Sequence, residues 1–541
     1  MNVTKLVFSI ICILFNYCFD VIRPISDPVV MTACGPVAGL NDEGAFSFRG
    51  VPYALPPVGT LRWKPPIPLS KSQGTCWSGV YQAKSFGNTC FQRDPYNSSL
   101  YMGSEDCLYL NVYTPSINRS TRLPVMVWVH GGSLQMSNAN WPTYSPTSKL
   151  ANETNIVYVG MNYRLQAFGF MALKELADVS PTKTSGNYGL MDVILALKWV
   201  QENIQQFGGD PTNVALFGQS SGGSIMFALL ASPLCQGLFQ KAWLLSASPV
   251  LNKTAAEAFK DNEIFMKNTG CSDVNCLYLL TAEAVTRGVP WDVYPYWAMS
   301  DQGDLPTNGH YDGAIIIVDG VVLKQPPFEA WKMGTKVDVP CLIGTLANEN
   351  DYNPGPLDLK EWDWNKYREY VSSKLLTFGD HDVTSALSLY PTGFITPEYQ
   401  FTSMVSDLRV NCPNDVMTSV ARKYFREPIY RYVGTSWPSQ PVHAVGLPFA
   451  ASYSFHMWDI LAFFGTIDQY INPMKESDIE WQNNVRKEVL SFVHKGHPAS
   501  PIWNENITAI LSQNTNITNA FHPDQCTFWN QAGFFAYGWI N

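Results

Sequence analysis

Charge is scarce in this chain: Asp, Glu, Lys and Arg make up only 15% of its 541 residues and leave a net charge of −9. A weakly charged, mildly acidic surface argues against nucleic acid or an anionic membrane as the main partner. Linkers are missing too. No Pro/Ser-rich stretch, internal repeat or low-complexity run divides the chain, so residues 21–541 read as one domain although length alone would suggest several. Paired Cys-x-x-Cys spacing is absent, which speaks against a structural zinc site. No apolar stretch is long enough to span a bilayer, and the final residues carry neither a lipid-anchor tail nor an ER-retention tetrapeptide, so no membrane anchor is evident. What the chain has in quantity is apolar side chains, 46% hydrophobic and 13% aromatic, enough for a large core.

The one notable apolar run, Leu6 to Phe15 after Lys5, suits a secretory signal peptide over residues 1–20, cleaved near Cys18 to Asp20. Six Asn-x-Ser/Thr acceptors follow it, at Asn97, Asn118, Asn152, Asn252, Asn506 and Asn516, as expected of a secreted glycoprotein. Of twelve cysteines, Cys12 and Cys18 leave with the leader. In an oxidising compartment the remaining ten are expected mainly in disulfides.

Apolar, β-rich runs alternate with helix-period segments. Pro124 to Val129 reads as a strand ending at His130-Gly131-Gly132, and Ile156 to Val159 as the next. Asp192 to Phe207 has helical spacing, stopped by Gly208-Gly209. Asn213 to Phe217, Ala242 to Leu245, Val339 to Ile343 and Ile429 to Val433 are further strands. Short buried strands between helices predict an α/β fold, a mostly parallel sheet covered on both faces, with ligands at the carboxyl ends of the strands. At one such end stands Gly218-Gln219-Ser220-Ser221-Gly222, a strand-to-helix turn that lifts Ser220 clear of the backbone. The amides after it point from a helix N-terminus at whatever sits on the serine oxygen.

A serine nucleophile needs a base, and the base an orienting acid. Among eight histidines, His130 belongs to the glycine loop, while His494 and His497 fall in a polar segment that reads as a solvated turn. His456, ahead of an aromatic-rich helix, is the best candidate and His443 the fallback. For the acid we take Glu349, just past the Val339 strand, with Asp351 as the alternative. The chain order Ser220, Glu349, His456 is the one this kind of turn requires.

From about Thr32 to Trp529 the chain resembles type-B carboxylesterases and cholinesterases of the α/β-hydrolase fold. The residues that carry the likeness are Phe48-Arg49-Gly50-Val51-Pro52-Tyr53-Ala54, Ser104-Glu105-Asp106-Cys107-Leu108, Asn187-Tyr188-Gly189-Leu190-Met191-Asp192, Phe207-Gly208-Gly209-Asp210-Pro211 and Asp524-Gln525-Cys526-Thr527-Phe528-Trp529. The resemblance implies a carboxylic ester hydrolase needing no metal or organic cofactor, with Ser220 as nucleophile, Glu349 as acid and His456 as base. It implies an oxyanion hole from the amides of Gly132, Ser133 and Ser221, and Ser246 as a partner of the acid. It pairs Cys90 with Cys107, Cys271 with Cys276 and Cys412 with Cys526. That leaves over Cys34, Cys76, Cys235 and Cys341, with a Cys34 to Cys76 bridge open. Arg62 with Glu105 and Arg164 with Asp192 correspond to the family's buried ion pairs. Three positions depart from the pattern. Ser133 stands where many relatives have a third glycine, and Gln219 where many have Glu, which removes a negative charge near His456. Asn97 stands near the position at which cholinesterases place a tryptophan that binds a quaternary ammonium, so choline esters are not the expected substrate. The expected substrate is a small-molecule or lipid ester, with pocket walls from loops between about Asn252 and Asn350. The rival readings are a non-catalytic binding or adhesion module and a lipase acting on long-chain acyl esters.

Overall fold

The computed structural model describes residues 27–94, 97, 99–289, 302–309 and 315–539; the expected leader lies outside them. Among the described residues the central sheet has eleven strands. They are β1 (Leu40–Asp42), β2 (Ala45–Pro52), β3 (Tyr109–Thr114), β4 (Leu123–Val129), β5 (Val157–Met161), β6 (Gly209–Gln219), β7 (Lys241–Leu245), β8 (Cys341–Leu346), β9 (Ile429–Gly434), β10 (Thr508–Leu511) and β11 (Thr515–Thr518). Their order across the sheet is β11-β10-β9-β8-β7-β6-β4-β5-β3-β2-β1. From β10 to β5 every pairing is parallel, while β3, β2 and β1 on one side and β11 on the other are added antiparallel.

Alternation of side chains along each strand builds two cores at once. Val125, Val127, Val129, Leu216, Leu244 and Ile343 enter one buried cluster. Their neighbours Met126, Trp128, Phe217, Trp243 and Leu342 enter the other, on the opposite face. The first is covered by α1 (Tyr188–Asn203) and α2 (Ser221–Leu230), which contribute Leu190, Val193, Leu197, Ile225 and Leu229. The second is covered by α3 (Trp458–Phe464) and α4 (Glu476–Lys495), through Trp458, Leu461, Trp481 and Val485. A strand buried on both sides has no room for a polar face, which is why these runs read as continuously apolar.

Small differences from the sequence reading have local causes. The strand expected at Val339 begins at Cys341, because Pro340 has no N–H to give to a ladder. His494 is not in a turn but in the last turn of α4. Arg164 holds Asp192 through Nε at 2.8 Å and Nη2 at 2.7 Å, and Arg62 holds Glu105 at 2.6 and 2.5 Å, both pairs away from solvent. Breaking one partner of such a pair strands a buried charge. Sulfurs are bonded between Cys90 and Cys107, Cys271 and Cys276, Cys412 and Cys526, and also between Cys34 and Cys76; Cys235 and Cys341 are free and buried. All six Asn-x-Ser/Thr asparagines are exposed. No helix among the described residues is long and apolar enough to cross a membrane.

Candidate active site

The turn after β6 is sterically restricted to what the sequence supplies. A Cβ on Gly222 would come within 2.1 Å of the Val129 carbonyl oxygen, and one on Gly218 within 2.6 Å of Gly222. Glycine at both positions lets strand, turn and helix pass each other. Between them Ser220 adopts φ 59°, ψ −127°, a conformation that costs a non-glycine residue about 1–3 kcal/mol and persists only where its surroundings hold it. They do: its N–H donates to Leu245 O across to β7 at 2.9 Å, and its carbonyl accepts from Ser224 N at 3.0 Å.

His456 and Glu349 come from two loops beyond β9 and β8 that are pinned to each other. His456 N donates to Glu349 O (3.1 Å), Asn348 N to Ser454 O (2.9 Å), and Ser454 Oγ to Gly434 O (2.7 Å). Asp351, the alternative acid, does not meet the imidazole. Its Oδ2 accepts from Ser452 N (2.6 Å) and Tyr453 N (2.7 Å), and burial, with Glu398 nearby, holds its carboxyl well above the usual range. Glu349 is fully buried. Its Oε2 meets His456 Nδ1 at 2.6 Å, and its Oε1 accepts from Ser246 Oγ at 2.5 Å and Leu346 N at 2.7 Å. His443 is exposed, with Nδ1 on Leu447 O, and takes no part. His130 is stacked on Tyr163 at 4.4 Å, and burial lowers its pKa to about 4, so it is a neutral structural residue.

The other imidazole nitrogen has an unexpected partner. Gln219 Nε2 lies 2.8 Å from His456 Nε2, and among the described residues Ser220 has no hydrogen bond to the ring. The direction of this contact follows from a chain of donors. Gly131 N donates to the Tyr144 hydroxyl (3.3 Å), and burial raises the Tyr144 pKa well above its ordinary value, so the phenol keeps its proton and donates it to Gln219 Oε1. The Gln219 amide therefore presents its NH2 to His456, Nε2 accepts, and the ring proton sits on Nδ1 facing Glu349. That is the tautomer a base needs. The ring itself lies between Tyr352, nearly parallel with centroids 5.2 Å apart, and Trp539, nearly perpendicular at 4.9 Å.

Ser220, Gln219 and His456 open on a mainly apolar cleft of about 210 Å³, shared with Gly132, Ser133, Met136, Trp141, Tyr144, Tyr352, Asn353, Val445, Leu447 and Met457. The described lining comes largely from residues 132–144, 352–353 and 445–447; of the 252–350 stretch expected to supply walls, residues 290–301 and 310–314 lie outside the described residues. Tyr144, Tyr352 and Trp539 went unread in the sequence. Their only signal was aromatic clustering after the glycine loop, after Glu349 and at residues 534–539. Ser133 lies at the cleft with φ 59°, followed by Leu134 at the same angle. Ser221 is the first residue of α2, so its amide is one of the unpaired N–H groups of a helix start. Among the described residues no group of three or more His, Cys, Asp or Glu is arranged to hold a metal ion.

A mostly parallel sheet with a serine turn after β6 defines an α/β-hydrolase fold. The family model of the carboxylesterase family matches residues 26–529, and the chain belongs to that family. It is 29% identical to para-nitrobenzyl esterase of Bacillus subtilis (strain 168), over 92% of this chain and 96% of that protein. It is 32% identical to neurotactin of Drosophila melanogaster over 76% of this chain, and spans only 48% of that longer protein. Among solved structures, a PNB esterase superposes with a TM-score of 0.72 at 30% identity, covering 94% of this chain and 99% of the other.

Proposed function

We propose that the protein hydrolyses small carboxylic esters through Ser220, His456 and Glu349 with an acyl-enzyme intermediate. The observation that carries this reading is the placing of a strained, glycine-flanked serine and an acid-backed imidazole on one cleft. His456 Nε2 takes the Ser220 proton as the hydroxyl oxygen attacks the ester carbonyl, and Glu349 on Nδ1 stabilises the imidazolium that results. The amides of Gly132, Ser133 and Ser221 donate to the oxyanion, where losing one donor typically costs about a hundred- to a thousandfold in rate. The alcohol leaves with the proton from His456. Water, deprotonated by the same nitrogen, then frees the acid. For the first step the serine hydroxyl takes the place on Nε2 that Gln219 occupies at rest.

A cleft of about 210 Å³ lies below the roughly 300–1,000 Å³ of sites for drug-sized ligands, which favours small acyl and alcohol groups over the long chains of a lipase substrate. Four disulfides and six exposed glycosylation acceptors support a route through the secretory pathway, ending outside the cell after removal of residues 1–20. One observation favours the second reading, a binding module: His456 is engaged by Gln219 rather than by Ser220. Intact mass after exposure to a fluorophosphonate separates the two. One adduct on the wild type and none on Ser220→Ala supports the esterase; no adduct on folded wild type sinks it.

A further inference from the structure

Beyond α5 (Pro523–Gln531) the chain does not drift over the surface. Residues 533–539 run back to the candidate site, held there by main-chain and side-chain anchors. Arg409, itself buried, donates through Nη1 to Tyr537 O (2.9 Å) and through Nε to Asp304 O (3.0 Å), while its carbonyl accepts from Trp539 N (2.8 Å). The Trp539 indole N–H donates to Gln302 O at 2.7 Å, and its carbonyl accepts from Ser248 Oγ. Ser248 N in turn donates to Ser224 Oγ (2.8 Å), one turn along the helix that Ser220 opens. Phe534 and Tyr537 add their rings to a buried cluster with Trp529 and Phe401. So many anchors on a short segment fix one side chain, the Trp539 indole, which is 4% exposed and perpendicular to His456.

Resting on the esterase reading, we propose that Trp539 is a positioning residue of the reaction, holding the His456 imidazole in the plane that serves both Glu349 and Ser220. Glu349 fixes Nδ1, but once the serine hydroxyl takes the place of Gln219 on Nε2 the ring can turn about the axis through the Glu349 contact. Tyr352 limits the turn from one face, and Trp539 supplies the second constraint. The indole is not among the residues lining the cleft, so it acts on the ring rather than on the bound ester. A merely structural tryptophan would support the fold and leave turnover alone; this one carries kcat.

The test uses the full chain and hydrolysis of p-nitrophenyl acetate, with thermal melts to establish folding. Trp539→Leu keeps most of the apolar volume and loses the ring plane. It is expected to lower kcat about ten- to a hundredfold, the scale of an ångström-sized misplacement, with KM within about threefold. Trp539→Phe is expected to recover kcat to within about fivefold of wild type, because a ring is restored. A folded Trp539→Leu protein with wild-type kcat overturns the proposal, as does a loss carried wholly by KM. Should that variant not fold, Ser248→Ala, which only releases the Trp539 carbonyl, is expected to lower kcat about threefold, and an unchanged kcat there overturns it equally. A wild type that neither hydrolyses the ester nor takes a fluorophosphonate overturns the esterase reading itself, a failure visible before any Trp539 variant is made.

Discussion

Two histidines in this molecule stand on buried carboxylates in nearly the same way. His456 Nδ1 is 2.6 Å from Glu349, and His522 Nδ1 is 2.7 Å from Asp407; a hydroxyl donates to each carboxylate, from Ser246 in the first case and Tyr390 in the second. What separates them is the other side of the ring. His456 turns Nε2 towards Gln219, next to the serine turn and the glycine loop, on a cleft. His522 precedes α5, stacked on Phe521 at 3.8 Å, with its side chain 31% exposed. A His–carboxylate pair is thus also a structural tie, here between the residue ahead of α5 and the helical turn Asp407–Asn411. Only His456 has beside it a cleft-facing serine and helix-start amides, the parts that the proposed chemistry needs.

Substitutions that break the first region and spare the second test this directly. Ser220→Ala is expected to lower kcat by on the order of 10⁶-fold with the melting temperature unchanged, and residual activity above about a hundredth of wild type excludes Ser220 as nucleophile. Glu349→Gln removes the anchor of the Nδ1 proton and is expected to cost on the order of 10⁴-fold in kcat. Its counterpart Asp407→Asn is expected to cost kcat far less, because Asp407 reaches the Glu349 loop only indirectly, through Asn411 on Ala347 O and the neighbouring Ser406 on Asn350 N. Equal losses in the two would erase the distinction. Gln219→Ala frees Nε2 for the serine hydroxyl and is expected to raise the rate of fluorophosphonate labelling about two- to fivefold, the worth of one displaced hydrogen bond. A slower rate would mean that Gln219 assists the base instead of competing with Ser220.

Much of the first region was legible because its signals are local. Gly218 and Gly222 flank Ser220 within one turn, and the apolar runs at Val125 and Val214 announce buried strands without reference to anything distant. Glu349 and His456 were reachable from their places after such strands and before an aromatic helix. Tyr144, Tyr352 and Trp539 were not. Trp539 meets Gln302 across 237 residues of sequence, and no spacing or periodicity encodes a contact between loops so far apart. The described cleft walls were out of reach for the same reason. Residues 132–144, 352–353 and 445–447 converge only because β4, β8 and β9 end at the same edge of the sheet. The Gln219–His456 contact needed two side chains placed to within an ångström, which composition at position 219 does not report.

The smallest effect sharpens the comparison from the side of stability. Burial disfavours a charged His522, but the Asp407 carboxylate outweighs it by charge and hydrogen bond, with Asp415 adding to the pull, so the native pKa is raised above the ordinary imidazole value. Below about pH 6.5 the ring is protonated in folded and unfolded chains alike, and the ion pair stabilises the fold in full. As the pH climbs through the raised native value the proton leaves and that contribution is lost. His522→Ala should therefore cost stability at pH 5.5, by roughly 0.5–1 kcal/mol for a part-exposed pair, and clearly less at pH 8.5, with ester hydrolysis unchanged at both. Melts of wild type and variant at the two pH values measure it. A destabilisation that does not shrink with rising pH would show that His522 contributes by packing on Phe521 rather than by charge, and the likeness to His456 would then be one of geometry alone.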